Sequence, residues 1–215
     1  GVTPAIVEQA ARIVIEAKMA DHVDLNFGCP VPKVTRRGGG SALPWKTDLF
    51  REIIQRVVKV CDAANVPVTA KIRVGIDHEH ETFLEAGHIA QEEGCKAVTL
   101  HARTTAEYYG GHSDWSRIGE LVEALDIPVF GNGDIWGAND ALAMVAETGC
   151  AGVAIGRGCQ GRPWGVRAGL PRHAMGLATG LSRQAMGLSS QAMGLATGRS
   201  EERRGGKERG SRWAP

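Results

Sequence analysis

Short runs of apolar, mostly β-branched residues alternate along the chain with longer amphipathic stretches. The runs predict β-strands at 22–27, 67–73, 97–102, 128–130 and 152–155. Between them, apolar residues recur at helical spacing, which predicts helices at 4–19, 48–61, 81–93, 115–125 and 138–147. Strands that are apolar on both faces are typical of a buried parallel sheet. The alternation therefore predicts an α/β fold with a parallel sheet.

Polar or glycine-rich residues follow every predicted strand. They are NFGC at 26–29, KIR at 71–73, HAR at 101–103, GNGD at 131–134 and GRG at 156–158. Functional groups at all the strand ends favour a (β/α)8 barrel, whose site is built from those loops. A doubly wound sheet is the alternative, but it concentrates its ligand groups at one switch point. Because five strand–helix units are visible, we expect a partial TIM barrel that lacks three preceding strands.

The composition is typical of a water-soluble protein, with 43% hydrophobic and 23% charged residues. The sequence has no apolar run of about 18 residues and no signal-peptide pattern. Its five cysteines are odd in number and form no CxxC pair, which is typical of reduced thiols rather than of disulfides or a zinc site. We therefore expect a cytoplasmic protein with no membrane segment and no metal.

Charge and complexity change after the predicted barrel units. Residues 1–164 carry 16 Lys and Arg against 21 Asp and Glu, a net charge of −5, whereas residues 166–215 have a net charge of +6. AMGLATG occurs at 174–180 and again at 192–198. We expect a catalytic domain at 1–164 and a low-complexity, disordered tail at 165–215. The tail is either an RNA-binding arm or a non-native extension, and its adapter-like end favours the extension.

Two glycine-rich turns predict a phosphate site. In barrels an anion commonly lies at the loops after the last two strands. Here those loops contain Gly133, Gly156 and Gly158, where backbone N–H groups can approach an anion closely, and Arg157 adds a fixed charge. Tight turns without a ligand are the alternative.

Lys71 and His101 lie at the ends of the second and third predicted strands. A lysine buried in a barrel mouth needs an anionic or electron-rich partner, because burying it alone is costly. The ring of a reduced flavin is such a partner. His101 either hydrogen-bonds the flavin or the substrate, or is a structural residue.

Cys29 follows a strand in a turn that Pro30 and Pro32 stiffen. A thiol there is either a nucleophile or a general acid, and the lack of a neighbouring base favours a proton donor. The next loop carries Lys33, Arg36 and Arg37, which either contact a phosphate backbone or form a solvated basic loop.

These motifs together resemble the tRNA-dihydrouridine synthase family, in its bacterial, actinobacterial-like form. The matching segments span 1–164 and include DLNFGCPVPKV, GGGSAL, VTAKIRVG, LHAR, GNGDI and IGRGCQGRPW. The resemblance implies an FMN-binding TIM barrel that reduces uridines of tRNA to 5,6-dihydrouridine, with NADPH as reductant. It implies hydride transfer from flavin N5 to uracil C6, with Cys29 protonating C5.

The resemblance also implies roles for individual residues. Lys71 and His101 match flavin-ring contacts. In the family's FMN-phosphate loops, the matching positions of this chain are Asn132, Gly133, Asp134, Gly156 and Arg157. On the uridine and RNA side of the family's pocket, the matching positions are Asn26, Lys33 and Arg73. The family implies no metal and no stable protein partner.

The family's first three strands and its C-terminal helical domain have no counterpart here, so we expect a fragment of the enzyme. Two other functions are open. One is an FMN-dependent barrel oxidoreductase of a small molecule, similar to dihydroorotate dehydrogenase, which the GCPxxKV turn and GRPW disfavour. The other is a non-catalytic fragment that binds RNA or a protein partner.

Overall fold

The structure, a computed structural model, describes residues 2–161. The strands are β1 (Val23–Asn26), β2 (Val68–Arg73), β3 (Ala97–His101), β4 (Val129–Asn132) and β5 (Gly152–Ala154). The helices are α1 (Pro4–Glu16), α2 (Pro32–Thr35), α3 (Thr47–Asp62), α4 (Phe83–Glu92), α5 (Ser116–Ala124) and α6 (Ala138–Thr148). Two 3₁₀ turns lie at Gly40–Ala42 and Arg157–Cys159. The predicted tail at 165–215 and the domain boundary after residue 164 lie outside the described residues.

The five strands form one parallel sheet in the order β1-β2-β3-β4-β5. The order follows the chain without a reversal, as in a (β/α)8 barrel and unlike a doubly wound sheet, whose strand order reverses at its switch point. The prediction of a partial TIM barrel with five strand–helix units is therefore confirmed.

The apolar core lies between the sheet and its helices. Val98 and Leu100 of β3 and Phe50 and Val57 of α3 are fully buried there. Strands β2 and β3 are buried on both faces except at Lys71 and Thr99. A parallel sheet covered by helices in this way holds its strand ends rigidly, which is what a site built on those ends requires.

The edge strand β1 differs from the prediction of strands that are apolar on both faces. Val23 and Leu25 are half-buried, whereas Asp24 and Asn26 are exposed. The polar side chains lie on the face that turns away from the helices, and within residues 2–161 that face of β1 keeps contact with water. Thr69 of the neighbouring strand donates a hydrogen bond to Asp24 Oδ1 at 2.7 Å.

Several predicted boundaries moved by a few residues, and one helix was not predicted. Helix α1 ends at Glu16, before the predicted residue 19, and α4 begins at Phe83, after the predicted residue 81. The short α2 begins at Pro32, whose restricted φ suits the first turn of a helix and which the sequence indicated only as a stiff loop. In the described part of the chain, no helix is both long and apolar enough to cross a membrane.

Candidate active site

A pocket of about 430 Å³ opens at the carboxyl end of the sheet. The segments after all five strands contribute to it, as expected for a barrel site. Its lining includes every predicted site residue except Lys33: Asn26, Cys29, Lys71, Arg73, His101, Asn132, Gly133, Asp134, Gly156 and Arg157. Lys33 is exposed on α2, outside the lining.

Strand register brings the predicted residues together. Asn26 of β1 pairs with Lys71 of β2, and His101 of β3 pairs with Arg73 on one side and Asn132 on the other. Paired residues of a parallel sheet point to the same face. Asn26 and Lys71 therefore form one rung of polar side chains at the pocket, and Arg73, His101 and Asn132 form the next rung.

The turn that carries Cys29 is fixed by hydrogen bonds on both sides of the thiol. Gly28 N–H donates to Asn26 Oδ1 at 3.0 Å, and Gly28 O accepts from Arg73 Nε at 2.9 Å. The carbonyl of Cys29 accepts from both the backbone N–H and the hydroxyl of Ser41, each at 3.0 Å. The half-buried thiol is thus held at the rim of the pocket.

The glycine-rich loop after this turn acts as its support. Gly40 has φ +56°, and a Cβ there would collide with the carbonyl oxygen of Cys29. Only glycine allows this close approach without strain. Sequence reasoning considered this loop for its basic residues and missed the part that Gly40 and Ser41 play in placing Cys29.

Lys71 carries its charge into the pocket without a counter-charge. Burial and the charge of Arg73, opposed by Asp24, together lower the pKa of Lys71 to about 8. Within residues 2–161 no carboxylate forms an ion pair with it. An anionic or electron-rich ligand beside Lys71 would relieve the cost of this burial.

His101 is a neutral imidazole in this environment. Burial first, and then the charges of Arg73, Lys71 and Arg103, lower its pKa to about 3 against the opposing charge of Asp134. The ring has no hydrogen-bond partner among the described residues. Its nitrogens are therefore available, one as donor and one as acceptor, to whatever enters the pocket.

The turns after β4 and β5 leave space for an anion. Gly133 has φ +128°, and a Cβ there would collide with Ser113 Oγ, whereas a Cβ at Gly156 would meet nothing within 4 Å. Asn132 Nδ2 donates to Ala154 O at 2.7 Å and joins the two strand ends. With Arg157 beside them, these turns have the shape and charge that suit a phosphate group.

The match to known proteins is decisive for the family. The model of the family described as "Dihydrouridine synthase (Dus)" matches residues 1–179. The chain belongs to the dihydrouridine synthase family. It is 57% identical over 164 residues to the "Probable tRNA-dihydrouridine synthase" of Mycobacterium leprae, covering 76% of this chain and 43% of that protein.

A second curated relative and a solved structure are also similar to this chain. The "tRNA-dihydrouridine synthase B" of Pseudomonas putida is 43% identical over 155 residues, and the match covers 72% of this chain and 45% of that protein. N-acetylneuraminate lyase from Mycoplasma synoviae has a TM-score of 0.52 at 18% identity, covering 75% of this chain and 54% of that one, which shows the fold alone. The chain spans less than half the length of the curated relatives named here.

In this member of the dihydrouridine synthase family, sequence reasoning missed Arg103, which supports the pocket loops, and Tyr109 and Trp136, which line the pocket. Arg103 is 1% exposed and donates to both carboxylate oxygens of Asp134, at 2.8 and 2.7 Å. Burial opposes ionisation of Asp134, but the hydrogen bonds from Arg103 and from the Ser113 N–H outweigh it and lower the pKa of Asp134. Tyr109 and Trp136 are half-exposed aromatic residues at the pocket mouth. The LHAR motif was the available signal for Arg103.

The charge of the pocket differs from that of residues 1–164 as a whole. Lys71, Arg73 and Arg157 line it, and Asp134 is the one acidic residue in the described lining. This local positive charge attracts anionic ligands although residues 1–164 have a net charge of −5. The described part of the chain contains no cluster of His, Cys, Asp and Glu that could hold a metal ion.

Proposed function

We propose that this protein reduces uridine in tRNA to 5,6-dihydrouridine, with FMN bound in the pocket and NADPH as the reductant. One observation carries the proposal: Lys71, half-buried and without a carboxylate partner in residues 2–161, lines the same pocket as Cys29. A charge in need of an electron-rich partner and a thiol that can donate a proton are two groups suited to the reduction of a uracil ring by a flavin.

Residues from four strand ends would hold the flavin. Lys71 and neutral His101 would contact its ring. The turns formed by Asn132, Gly133 and Gly156 would take its phosphate, with Arg157 as the charged contact. Asp134 acts through Arg103 and keeps these turns in place. When bound, the flavin supplies the hydride that reduces C6 of the uracil.

Cys29 donates the proton that completes the reduction. Its Sγ–H protonates C5 of the uracil, so that the hydride and the proton together saturate the C5–C6 bond. The hydrogen bonds from Ser41 to the Cys29 carbonyl and from Arg73 to the Gly28 carbonyl hold the thiol at a constant position while this occurs.

The uridine is recognised on the side of the pocket formed by β1 and β2. Asn26 uses its Oδ1 to accept from Gly28, and its NH₂ group has no partner among residues 2–161. That group and the guanidinium of Arg73 are donors suited to the carbonyl oxygens of uracil. Lys33, exposed on α2, contacts the RNA backbone. The uridine leaves its stack to enter the pocket, at a cost of roughly a few kcal/mol.

The catalytic part extends over residues 1–164, and the low-complexity part over 165–215 follows it. The substrate is a cytoplasmic tRNA, and neither a metal nor a stable protein partner takes part. The remaining length that the curated relatives have would supply the rest of the barrel and the other contacts to the tRNA.

A spectrum and a matched pair of substitutions test the proposal. The purified chain, mixed with FMN, shows the shifted visible absorbance of a bound flavin. In a full-length version completed with the remaining segments of the Mycobacterium leprae relative, Cys29→Ala keeps FMN bound and nearly abolishes dihydrouridine formation. Cys159→Ala, the other half-buried thiol, is the control and keeps the activity. Full turnover by Cys29→Ala would show that Cys29 is not the acid.

A further inference from the structure

Four side chains alternate between cation and aromatic ring along the mouth of the pocket. Arg157 Cζ lies 5.3 Å from the ring centroid of Trp136 and 5.1 Å from that of Tyr109. Arg73 Cζ lies 5.5 Å from the same Tyr109 ring. We call the row Trp136, Arg157, Tyr109 and Arg73 the rim stack. Each of these separations is within the range of a cation–π interaction.

The rim stack joins the end of one strand to the loops that follow three others. Arg73 is the last residue of β2, Tyr109 follows β3, Trp136 follows β4, and Arg157 follows β5. Of the two rings in the rim stack, the ring of Tyr109 is the one that contacts both guanidinium groups. It therefore links the side of the pocket that holds Cys29 to the side that holds the glycine turns.

The backbone that carries Tyr109 is held firmly at both ends. On one side, the N–H groups of Thr105 and Ala106 donate to Gly75 O and Ile76 O at 2.8 and 2.9 Å. On the other, Arg103 Nε donates to Gly110 O at 2.8 Å. A half-exposed ring on a fixed backbone is a suitable surface against which mobile side chains can be ordered.

Arg157 needs such a surface more than Arg73 does. Arg73 is buried and donates to Gly28 O and Thr104 O at 2.9 and 2.8 Å. Arg157 is exposed, and its nearest carboxylate, Asp134, is 3.6 Å away. A long, exposed arginine loses considerable side-chain entropy when a ligand orders it, and a preformed contact with a ring reduces that loss.

We infer that Tyr109 is a positioning residue for the proposed reaction, holding Arg157 over the phosphate turns and Arg73 beside the Cys29 turn at the same time. The inference rests on the proposed function, because it takes Arg157 as the contact for the phosphate of FMN. The ring of Tyr109 carries the effect, and its hydroxyl group does not.

FMN titration of the chain, followed by flavin fluorescence, compares two substitutions at this position. Tyr109→Leu removes the ring and weakens FMN binding about three- to tenfold, whereas Tyr109→Phe keeps the ring and binds within about twofold of the unchanged chain. Both variants unfold at the same temperature as the unchanged chain, because the side chain is half-exposed. Equal affinities for the Leu and Phe variants, or equal losses in both, would overturn the inference.

A measurement without flavin separates this inference from the proposed function. In the unchanged chain, the Nε–Hε NMR signals of Arg157 and Arg73 carry ring-current shifts, and Tyr109→Leu reduces both while Tyr109→Phe retains them. Unmoved signals in Tyr109→Leu would show that Tyr109 does not position the two arginines. If the unchanged chain binds no FMN while the shifts behave as described, the proposed flavin site is wrong and the ordering of the two arginines by Tyr109 stands.

Discussion

Arg103 Nη2 donates to both carboxylate oxygens of Asp134, at 2.8 and 2.7 Å, and so ties the loop after β3 to the loop after β4. The same side chain also donates to Gly110 O, Gly111 O and Ser113 Oγ. Five hydrogen bonds from one buried guanidinium satisfy its polar atoms and hold the backbone of two pocket loops. Charge pairing inside a protein is stable only when its geometry is this complete.

Arg103→Met destabilises the chain because it leaves the Asp134 carboxylate and two loop carbonyls without their donor. We expect the free energy of unfolding in urea to fall by about 3 kcal/mol. Arg12→Met is the control: Arg12 is an exposed partner of Glu8 on α1, so its loss changes stability by less than about 1 kcal/mol. Equal effects of the two substitutions would show that the Arg103 network does not hold the loops.

Lys71 makes stability depend on pH in the alkaline range. Its pKa is about 8 in the folded chain and 10.5 when unperturbed, so between those values the unfolded chain binds more protons than the folded one. Stability relative to Lys71→Met therefore rises as pH increases from 8 to 10.5, by up to about 3 kcal/mol. Urea unfolding of both proteins at several pH values measures the difference. A constant difference would mean that Lys71 is not desolvated.

His101 makes stability depend on pH in the same direction, but in the acid range. With a pKa of about 3 in the folded chain against 6.5 when unperturbed, it stays neutral while the unfolded chain takes up a proton. Stability relative to His101→Gln therefore falls as pH decreases from 6.5 towards 3. The ¹⁵N signals of the His101 ring report it directly and keep their neutral values between about pH 5 and 8. A titration within that range would contradict the burial that lowers the pKa.

The two glycine turns respond differently to an added methyl group. Gly133→Ala forces an L-residue to φ +128° and a collision with Ser113 Oγ, so stability falls by roughly 1–3 kcal/mol. Gly156→Ala places its Cβ in open space, so the free energy of unfolding changes by less than about 0.5 kcal/mol. FMN binding nevertheless weakens, because the methyl group occupies the space proposed for the phosphate. Thermal unfolding and FMN titration of both variants separate the effects. Unweakened FMN binding by Gly156→Ala would move the phosphate away from this turn.

Sequence reasoning selected most of the residues that line the pocket because their signals are local. A parallel sheet brings the carboxyl ends of its strands to one edge, so residues that end separate strands become neighbours whatever the loops do. Lys71, His101 and Asn132 were found on that ground. The register pairs His101 with Asn132 on one side and with Arg73 on the other, and Lys71 lies two residues before Arg73 on the same face. Lys33 was assigned to the RNA side of the pocket because it belongs to the DLNFGCPVPKV motif. It lies on α2, outside the pocket lining, because Pro32 begins a helix there.

The amino-acid sequence by itself determined the strand–helix alternation, the polar strand ends and the cysteine turn, because hydrophobic periodicity and proline and glycine act over a few residues. Only the tertiary structure decided that Asp134 pairs with Arg103 and that Tyr109 lies between Arg73 and Arg157. These pairs are 31, 36 and 48 positions apart in the chain. Contacts between loops depend on the exact backbone path of both, which no local pattern encodes.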